Sequence, residues 1–594
     1  MKLTKIQNQA ASHIDGPCLV LAVPGAGKTT MLLERIKNLK KLTNPKKILT
    51  LTFSKSQSID MKNRYGLDDS NFMTIHAFCY LIIRNYLKNY NKNLRLIESD
   101  DSYNKYDLIR DIYFDINNKN ISREDIQTFF TQTSYMKNAM LDESYLEKIR
   151  IKNVEKLYHN YENFKKSHFL IDFDDMQVLA LKILEKDPKL LRAIQNKYDY
   201  FQLDEGQDTS VIQFEILKKI VSKNNNLIVV ADDDQSIYSF RAANPSYLLN
   251  FSNYYKNPKI IIMNENHRSG KEISKNANEF IEQNNFRYKK DIIPIPSLEG
   301  QVIIKVLKDT NAQYGFIKKH INPNQTNAIL FRNNISAINI VTFLLEDKIN
   351  FTISPDFLEY FKSQIVDDFF DIIKFANDFY DTESFSNIYY KIKTYLKKSD
   401  IESLELKPDN MDVFDYFYDK LDYDQTNTLY DIEKKLNHIK RLDLDKQITY
   451  IYKYMGYMDY TRLRSNKFGE EIMNKDLFVE SLINFTKGLK TINDFDNKLM
   501  SLKKQISLNF DSNLILSTIH RSKGLEYENV FIIDLIKNEF PVIDYDEDPE
   551  KHLEEERRIM YVGMTRAKEK LYLLSIKKRN NKKTQPSEFF SFFN

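Results

Sequence analysis

The chain has 594 residues, 42% hydrophobic and 29% charged, and a formal net charge of +4, so it exceeds one core, suggests roughly three or four domains, and confines any nucleic-acid surface to a local patch. No apolar run approaches the roughly 20 residues that span a bilayer, and the opening MKLTKIQNQAASH lacks the apolar core of a secretory signal, which predicts a protein without a membrane partner. Cys18 and Cys79 alone cannot build a disulfide framework or a cysteine-rich zinc site; both read as small buried hydrophobes in a reducing compartment, the cytoplasm.

In chain order, the first informative stretch is LVLAVPGAGKTT at 19–30: an apolar strand, a glycine-rich turn, then the helical pattern MLLERIKNL. Gly25 and Gly27 let successive backbone N–H groups turn inward around phosphate oxygens, and the helix directs its positive dipole end at the same anion. Lys28 is placed for the β- and γ-phosphates and the Thr29 hydroxyl for Mg²⁺, in a loop that also holds Ala26 and Thr30 and has Ala22 where the strict pattern has glycine. Next, ILTLTF at 48–53 opens onto Thr52, Phe53, Ser54 and Lys55, and NFMTIHAF places Thr74 and His76 at a following loop. Strand, helix, strand at this spacing predicts a parallel α/β sheet with ligands at the carboxyl ends of its strands. Phe53 reads as a stacking face for a nucleic-acid base or as core, and Lys55 as a phosphate contact or a solvated charge.

From about 84 to 190 the pattern is helical. It ends in FLIDFDDMQVLALKIL, whose Asp172, Asp174 and Asp175 read as a helix start rather than a metal site. The strand pattern returns in YFQLDEGQDTS: Asp204 would hold the Mg²⁺ shell, and Glu205 would orient or deprotonate an attacking water. LIVVADDDQSIYSFRAAN follows, with Gln235 placed to read the γ-phosphate and Tyr238, Phe240 and Arg241 interleaving aromatic and basic groups as single-strand binders do. Three strand-end clusters in one sheet predict nucleotide hydrolysis.

With NENHRSG, AILFRNN, LSTIHRSKGLEYENVFI and EEERRIMYVGMTRAKEKL, these strings in this order resemble the UvrD/Rep family of superfamily 1 helicases over nearly the whole chain. The family writes its phosphate loop A-x-x-G-x-G-K-T, which Ala22 satisfies. The resemblance implies an α/β fold of two RecA-like parallel-sheet lobes, each with a mainly helical insertion. The divisions it implies are 1–83 with 191–290 for the first lobe, 84–190 for its insertion, 291–379 with 509–594 for the second lobe, and 380–508 for the second insertion. ATP would lie between the lobes and single-stranded DNA across their tops. The same resemblance implies that Gln7 reads adenine, that Arg35 is a neighbouring nucleotide contact, and that Arg268 and Glu526 face the γ-phosphate. It further implies that Arg566 is the finger that neutralises charge on the transferred phosphoryl group, and that Thr518, His520 and Lys523 lie on DNA phosphate. His267 stands where relatives stack a tyrosine on adenine.

The expected activity is 3′ to 5′ translocation and unwinding driven by ATP and Mg²⁺ on single strands and single-strand/duplex junctions, in repair, recombination or replication. A DNA-stimulated ATPase acting as sensor or motor subunit beside a nuclease, in repair or antiviral defence, is the alternative, and an RNA motor a third reading. The acidic run 544–556 reads as a solvated helix start, and the chain ends soon after KLYLLSI, without the C-terminal extension of many relatives. The second insertion has only isolated Gly456, Gly469 and Gly488 where relatives carry a Gly-x-Gly turn toward duplex phosphate. The matching YYKIKTYLKKSDIESLEL reads as a basic helix-like segment, which predicts weak duplex grip and unwinding that needs a protein partner or a second copy.

Overall fold

A computed structural model describes residues 3–593 apart from 67–68, 89, 91–92, 296–298, 469–471, 509–511, 544–547 and 580–581. The start of the acidic run, the middle of DIIPIPSLEG and Gly469 therefore lie outside the described residues. Two six-stranded sheets, each wholly parallel, organise the chain, as the sequence led us to expect.

The first sheet is built from β1 (Cys18–Ala22), β2 (Ile48–Thr52), β3 (Asn71–Thr74), β4 (Tyr200–Leu203), β5 (Leu227–Ala231) and β6 (Lys259–Met263), in the order β3-β2-β4-β5-β1-β6. Its inner strands are unbroken apolar runs because helices cover both faces: every residue of CLVLA and of LIVVA is buried. Cys18 and Cys79 are buried within this packing. All six strands point their carboxyl ends at one rim, so the loops after β1, β2, β3, β4 and β5 meet there. Between β3 and β4 the described residues are mainly helical and include a two-residue strand pair, 95–96 with 170–171. The acids that close this stretch open a helix and face a lysine. Asp172 and Asp175 form a capping box, and the Lys165 ammonium lies 2.5 and 2.6 Å from them and 2.9 Å from Glu162.

The second sheet is built from β7 (Gln301–Leu307), β8 (Asn327–Phe331), β9 (Thr352–Ile353), β10 (Leu514–Thr518), β11 (Tyr527–Ile532) and β12 (Ala567–Ile576), in the order β7-β12-β11-β8-β10-β9. Among the described residues, the chain from Gln364 to Leu508 between β9 and β10 is mainly helical. There YYKIKTYLKKSDIESLEL departs from the expected basic helix. A 3₁₀ turn at Tyr389–Lys391 leads into a loop where Lys393 (φ 59°) and Tyr395 (φ 57°) are left-handed, and only Lys398–Glu402 is α-helical. Two of its lysines are already neutralised, Lys391 by Asp368 at 2.6 Å and Lys393 by Asp459 at 2.5 Å.

Candidate nucleotide and nucleic-acid site

The turn after β1 is gripped from two sides before α1 (Lys28–Leu39) begins. Gly25 and Gly27 take φ of +74° and +77°; a Cβ on Gly25 would stand 2.6 Å from Asn266 Oδ1, and one on Gly27 2.7 Å from Gln7 Nε2. Gln7 closes the capping box of the helix Lys5–Ala11 and donates to Ala26 O at 2.9 Å, which fastens that helix to the loop. On the other side the His267 N–H donates to Gly25 O at 3.1 Å, with its side chain a third exposed beside Glu265. Ala22 is buried at the strand end, Thr29 is half-buried on the first turn of α1, and Thr30 Oγ1 accepts from Arg64 at 3.0 Å.

Arg35 corrects the sequence reading. Its side chain is fully buried and donates to His13 O (2.9 Å), Ile14 O (3.2 Å) and Gln202 Oε1 (3.0 Å), so it ties α1 to the chain entering β1 and to β4 instead of reaching a nucleotide. Burial lowers its guanidinium to about 10.

Lys28 Nζ lies 3.3 Å from Glu205 Oε2. Burial, with the charge of Glu205 beside it, pushes the Asp204 carboxyl up to about 7. On Glu205 burial acts in the same direction, but the charges of Lys28 and Lys523 and the hydrogen bonds from Gln207 and Lys28 overcome it and hold the carboxyl at about 2. The adjacent acids are thereby split: Glu205 is an ionised acceptor, and Asp204 is a buried carboxyl that no described lysine or arginine pairs. A second group joins them across the cleft. Gln235 Nε2 donates to Asp232 Oδ2 at 2.6 Å, and its Oε1 accepts from Arg566 at 2.9 Å. Arg566 is 1% exposed and also donates to Val562 O and Leu525 O; burial, with Arg268 nearby, lowers it to about 9. Arg268 donates to Glu526 at 2.8 Å, and Glu526, 46% exposed, also pairs with Lys568.

On the rim above, Phe53 and Tyr238 stack on each other, centroids 5.2 Å apart and planes 16° apart. Phe240, 49% exposed, meets Tyr238 and His520 edge-on at 5.9 and 6.1 Å, and the exposed Arg241 guanidinium lies 5.8 and 5.7 Å from the Tyr238 and Phe240 centroids. Lys55 is exposed, whereas Thr74 is half-buried and its hydroxyl accepts from Ala77 N as the next helix opens. His76 meets the edge of Phe173, 46% exposed, at 6.1 Å. Phe173 extends the aromatic rim, a position that the sequence marks only by a ring set between the acids of IDFDD.

Two residues assigned to DNA, Thr52 and Lys523, are spent within the protein instead. Thr52 is fully buried and its hydroxyl donates to Ser54 O. Lys523 is 8% exposed and spends its ammonium on both oxygens of Asp208 (2.6 and 2.7 Å) and on Gln235 O (2.6 Å), so it is a tie between lobes. His520 is half-buried, its backbone carbonyl accepts from Tyr238 OH, and burial brings its imidazole down to about 3, which keeps it neutral. Thr518 caps the turn that follows β10, accepting from Arg521 N.

The family model for the UvrD/REP helicase N-terminal domain matches residues 3–256, and that for the UvrD-like helicase C-terminal domain matches 261–578. Similar proteins include the ATP-dependent DNA helicase Rep of Buchnera aphidicola, 29% identical over 96% of this chain and 91% of its own length. The ATP-dependent DNA helicase PcrA of Bacillus subtilis is 28% identical over 97% and 83%, and PcrA of Staphylococcus aureus 26% over 96% and 82%.

Proposed function

The chain belongs to the UvrD/REP helicase family, and on that premise we propose that it is an ATP-driven DNA helicase that translocates 3′ to 5′ on single strands. The observation that carries this reading is the contact of Gln235, at the end of β5, with Arg566, from the other lobe, beside Lys28 and Glu205. It supports a site that is complete only when the lobes close, so that ATP binding and loss of the γ-phosphate would close and open the cleft.

In this reading Lys28 engages the β- and γ-phosphates and Glu205 orients or deprotonates the attacking water. Gln235, Arg268 and Arg566 face the γ-phosphoryl group, and Glu526 fixes Arg268. Gln7 reads adenine with the amide capacity left after its bond to Ala26, and His267 covers the ring. Thr29 and Asp204 would hold Mg²⁺: a buried carboxyl that no described lysine or arginine pairs, and a half-buried hydroxyl on the first turn of the phosphate-loop helix, are oxygen donors of the kind a hard dication takes, the rest of its shell coming from water and phosphate. When bound it would neutralise charge on the phosphate oxygens. Phe53, Tyr238, Phe240 and Phe173 form the stacking rim, with Lys55, Arg241, His76, Thr74, Thr518 and His520 along the strand path. The lobe and insertion boundaries proposed are those given by the sequence, 1–83 with 191–290, 84–190, 291–379 with 509–594, and 380–508.

The test is ATP turnover with single-stranded DNA, duplex DNA and RNA beside unwinding of 3′- and 5′-tailed duplexes. Stimulation by single-stranded DNA with unwinding from 3′ tails is expected. Equal stimulation by RNA, or unwinding from 5′ tails alone, would overturn the reading, and stimulation without unwinding would favour the role of a sensor or motor subunit.

A further inference from the structure

We propose that Lys290, in the segment joining the two lobes, is a positioning residue that sets the Gln235–Arg566 contact, an inference that rests on the role given above to Arg566. Lys290 is 3% exposed and its ammonium, bonded to Asp233, stands 3.0 Å from Asp232 Oδ1 and 3.0 Å from Asp234 Oδ2. Three consecutive carboxylates within reach of one another would otherwise suit a metal ion; here the ammonium occupies the space among them. Arg287 adds a bidentate pair with Asp234, both bonds 2.8 Å, and Tyr288 N donates to Asp233 at 2.7 Å.

The same segment is tied to the other lobe. Asn285 N and Phe286 N donate to Glu554 Oε1 at 2.6 and 3.2 Å, and Arg558 donates to Phe286 O at 2.8 Å. Glu554 and Arg558 lie on α2 (Pro549–Met564), the helix whose end delivers Arg566. Residues 284–290 are thus bonded both to the turn that carries Gln235 and to the helix that carries its partner.

Asp232 makes the connection directional. Its Oδ1 takes Lys290 and its Oδ2 takes the Gln235 NH₂ group, which leaves only the amide oxygen of Gln235 to face Arg566. An amide turned the other way would present donors to a guanidinium that can only donate. Asp232 N in turn accepts no proton but donates to Gln207 Oε1 at 3.0 Å, and Gln207 donates to Glu205, so the same aspartate is linked to both reacting sides of the site. Despite burial, which acts the other way, the three aspartates hold the Lys290 ammonium far above its ordinary value, so it stays charged.

The variants are D233N and K290M/D233N, because the double substitution keeps the cluster's parent net charge while removing the ammonium that holds Asp232. Relative to D233N, K290M/D233N should lower DNA-stimulated turnover roughly 10- to 100-fold, as misplaced catalytic groups do, with nucleotide affinity within about twofold. In an R566A background the same change should cause no further loss, since the route through Gln235 is already cut. A loss of equal size in both backgrounds, no loss in either, or a double variant that cannot be recovered folded would overturn the proposal in favour of a purely structural lysine. If R566A alone turns over ATP at the parent rate, the role of Arg566 has failed, and with it the route by which Lys290 would act.

Discussion

Lys523→Met separates a tie across the cleft from a DNA contact, and its cost follows from the burial of Asp208. With Lys523 beside it, burial already pushes the Asp208 carboxyl from 3.8 up to about 6, a cost to the closed cleft of about 3 kcal/mol at pH 7.5 relative to an open one in which the acid regains water. Without Lys523 the value climbs further and the acid protonates, which caps the cost at about 5 kcal/mol at that pH. The difference, about 2 kcal/mol, acts on closure and should lower DNA-stimulated turnover about 30-fold. The sign of the pH dependence is fixed. A carboxyl raised in the closed form costs more as pH rises, up to its closed-form value and no further, so parent and variant diverge only above about pH 6. Turnover at pH 7.5 and at pH 6 should therefore show the defect shrinking to roughly twofold at the lower pH. Single-strand affinity measured against salt should keep the parent slope in K523M, whereas the exposed Lys55→Met should reduce it by about 0.7. A slope reduced by about 0.7 in K523M, with turnover near the parent's, would refute the argument and return Lys523 to the DNA path.

Lys28→Ala should abolish hydrolysis, and Glu205→Gln should bind ATP with DNA still held but not turn it over; parent-rate turnover by Glu205→Gln removes that carboxylate from its role. Because burial sets Asp204 at about 7 in the resting protein, Mg²⁺-dependent nucleotide affinity should fall up to about tenfold per pH unit below 7 and level off above it, and a titration flat from pH 6 to 8 would exclude Asp204 as the ligand. Tyr238→Ala and Phe240→Ala should each cost about 1 to 3 kcal/mol in single-strand binding, with Phe53→Ala and Tyr238→Ala non-additive because the rings stack on each other; unchanged affinity would place them in the core. The monomer should translocate on single strands far better than it unwinds, and stopped-flow unwinding of a long 3′-tailed duplex by monomers at translocation speed would sink that expectation.

The parts legible in the sequence are those where one residue type is forced by backbone geometry or by the chemistry of a strand end. Gly25 and Gly27 could be read because no side chain fits beside Asn266 and Gln7, and the two sheets because parallel strands buried on both faces must be continuous apolar runs. The cations were not legible in the same way. Arg35, Lys523 and Lys290 look like any solvent-facing charge in a string of letters; the carbonyls and carboxylates that consume them lie at 13, 14 and 202, at 208 and 235, and at 232 to 234. A basic residue beside a DNA-binding string therefore carries two readings that only the fold separates.

The turn in the second insertion shows the same limit for backbone conformation. A left-handed φ costs a residue with a Cβ roughly 1 to 2 kcal/mol, so a stretch without glycine at Lys393 and Tyr395 reads as helix. The space that permits the turn comes from elsewhere. Gly456, sixty-three residues on, lies against the Lys393 stem, where a Cβ would stand 2.7 Å from Cγ and Cδ. The Lys393–Asp459 ion pair ties the same two segments together. Packing against a distant glycine thus makes tolerable a conformation that the local sequence disfavours, and no pattern within 389–406 reports it.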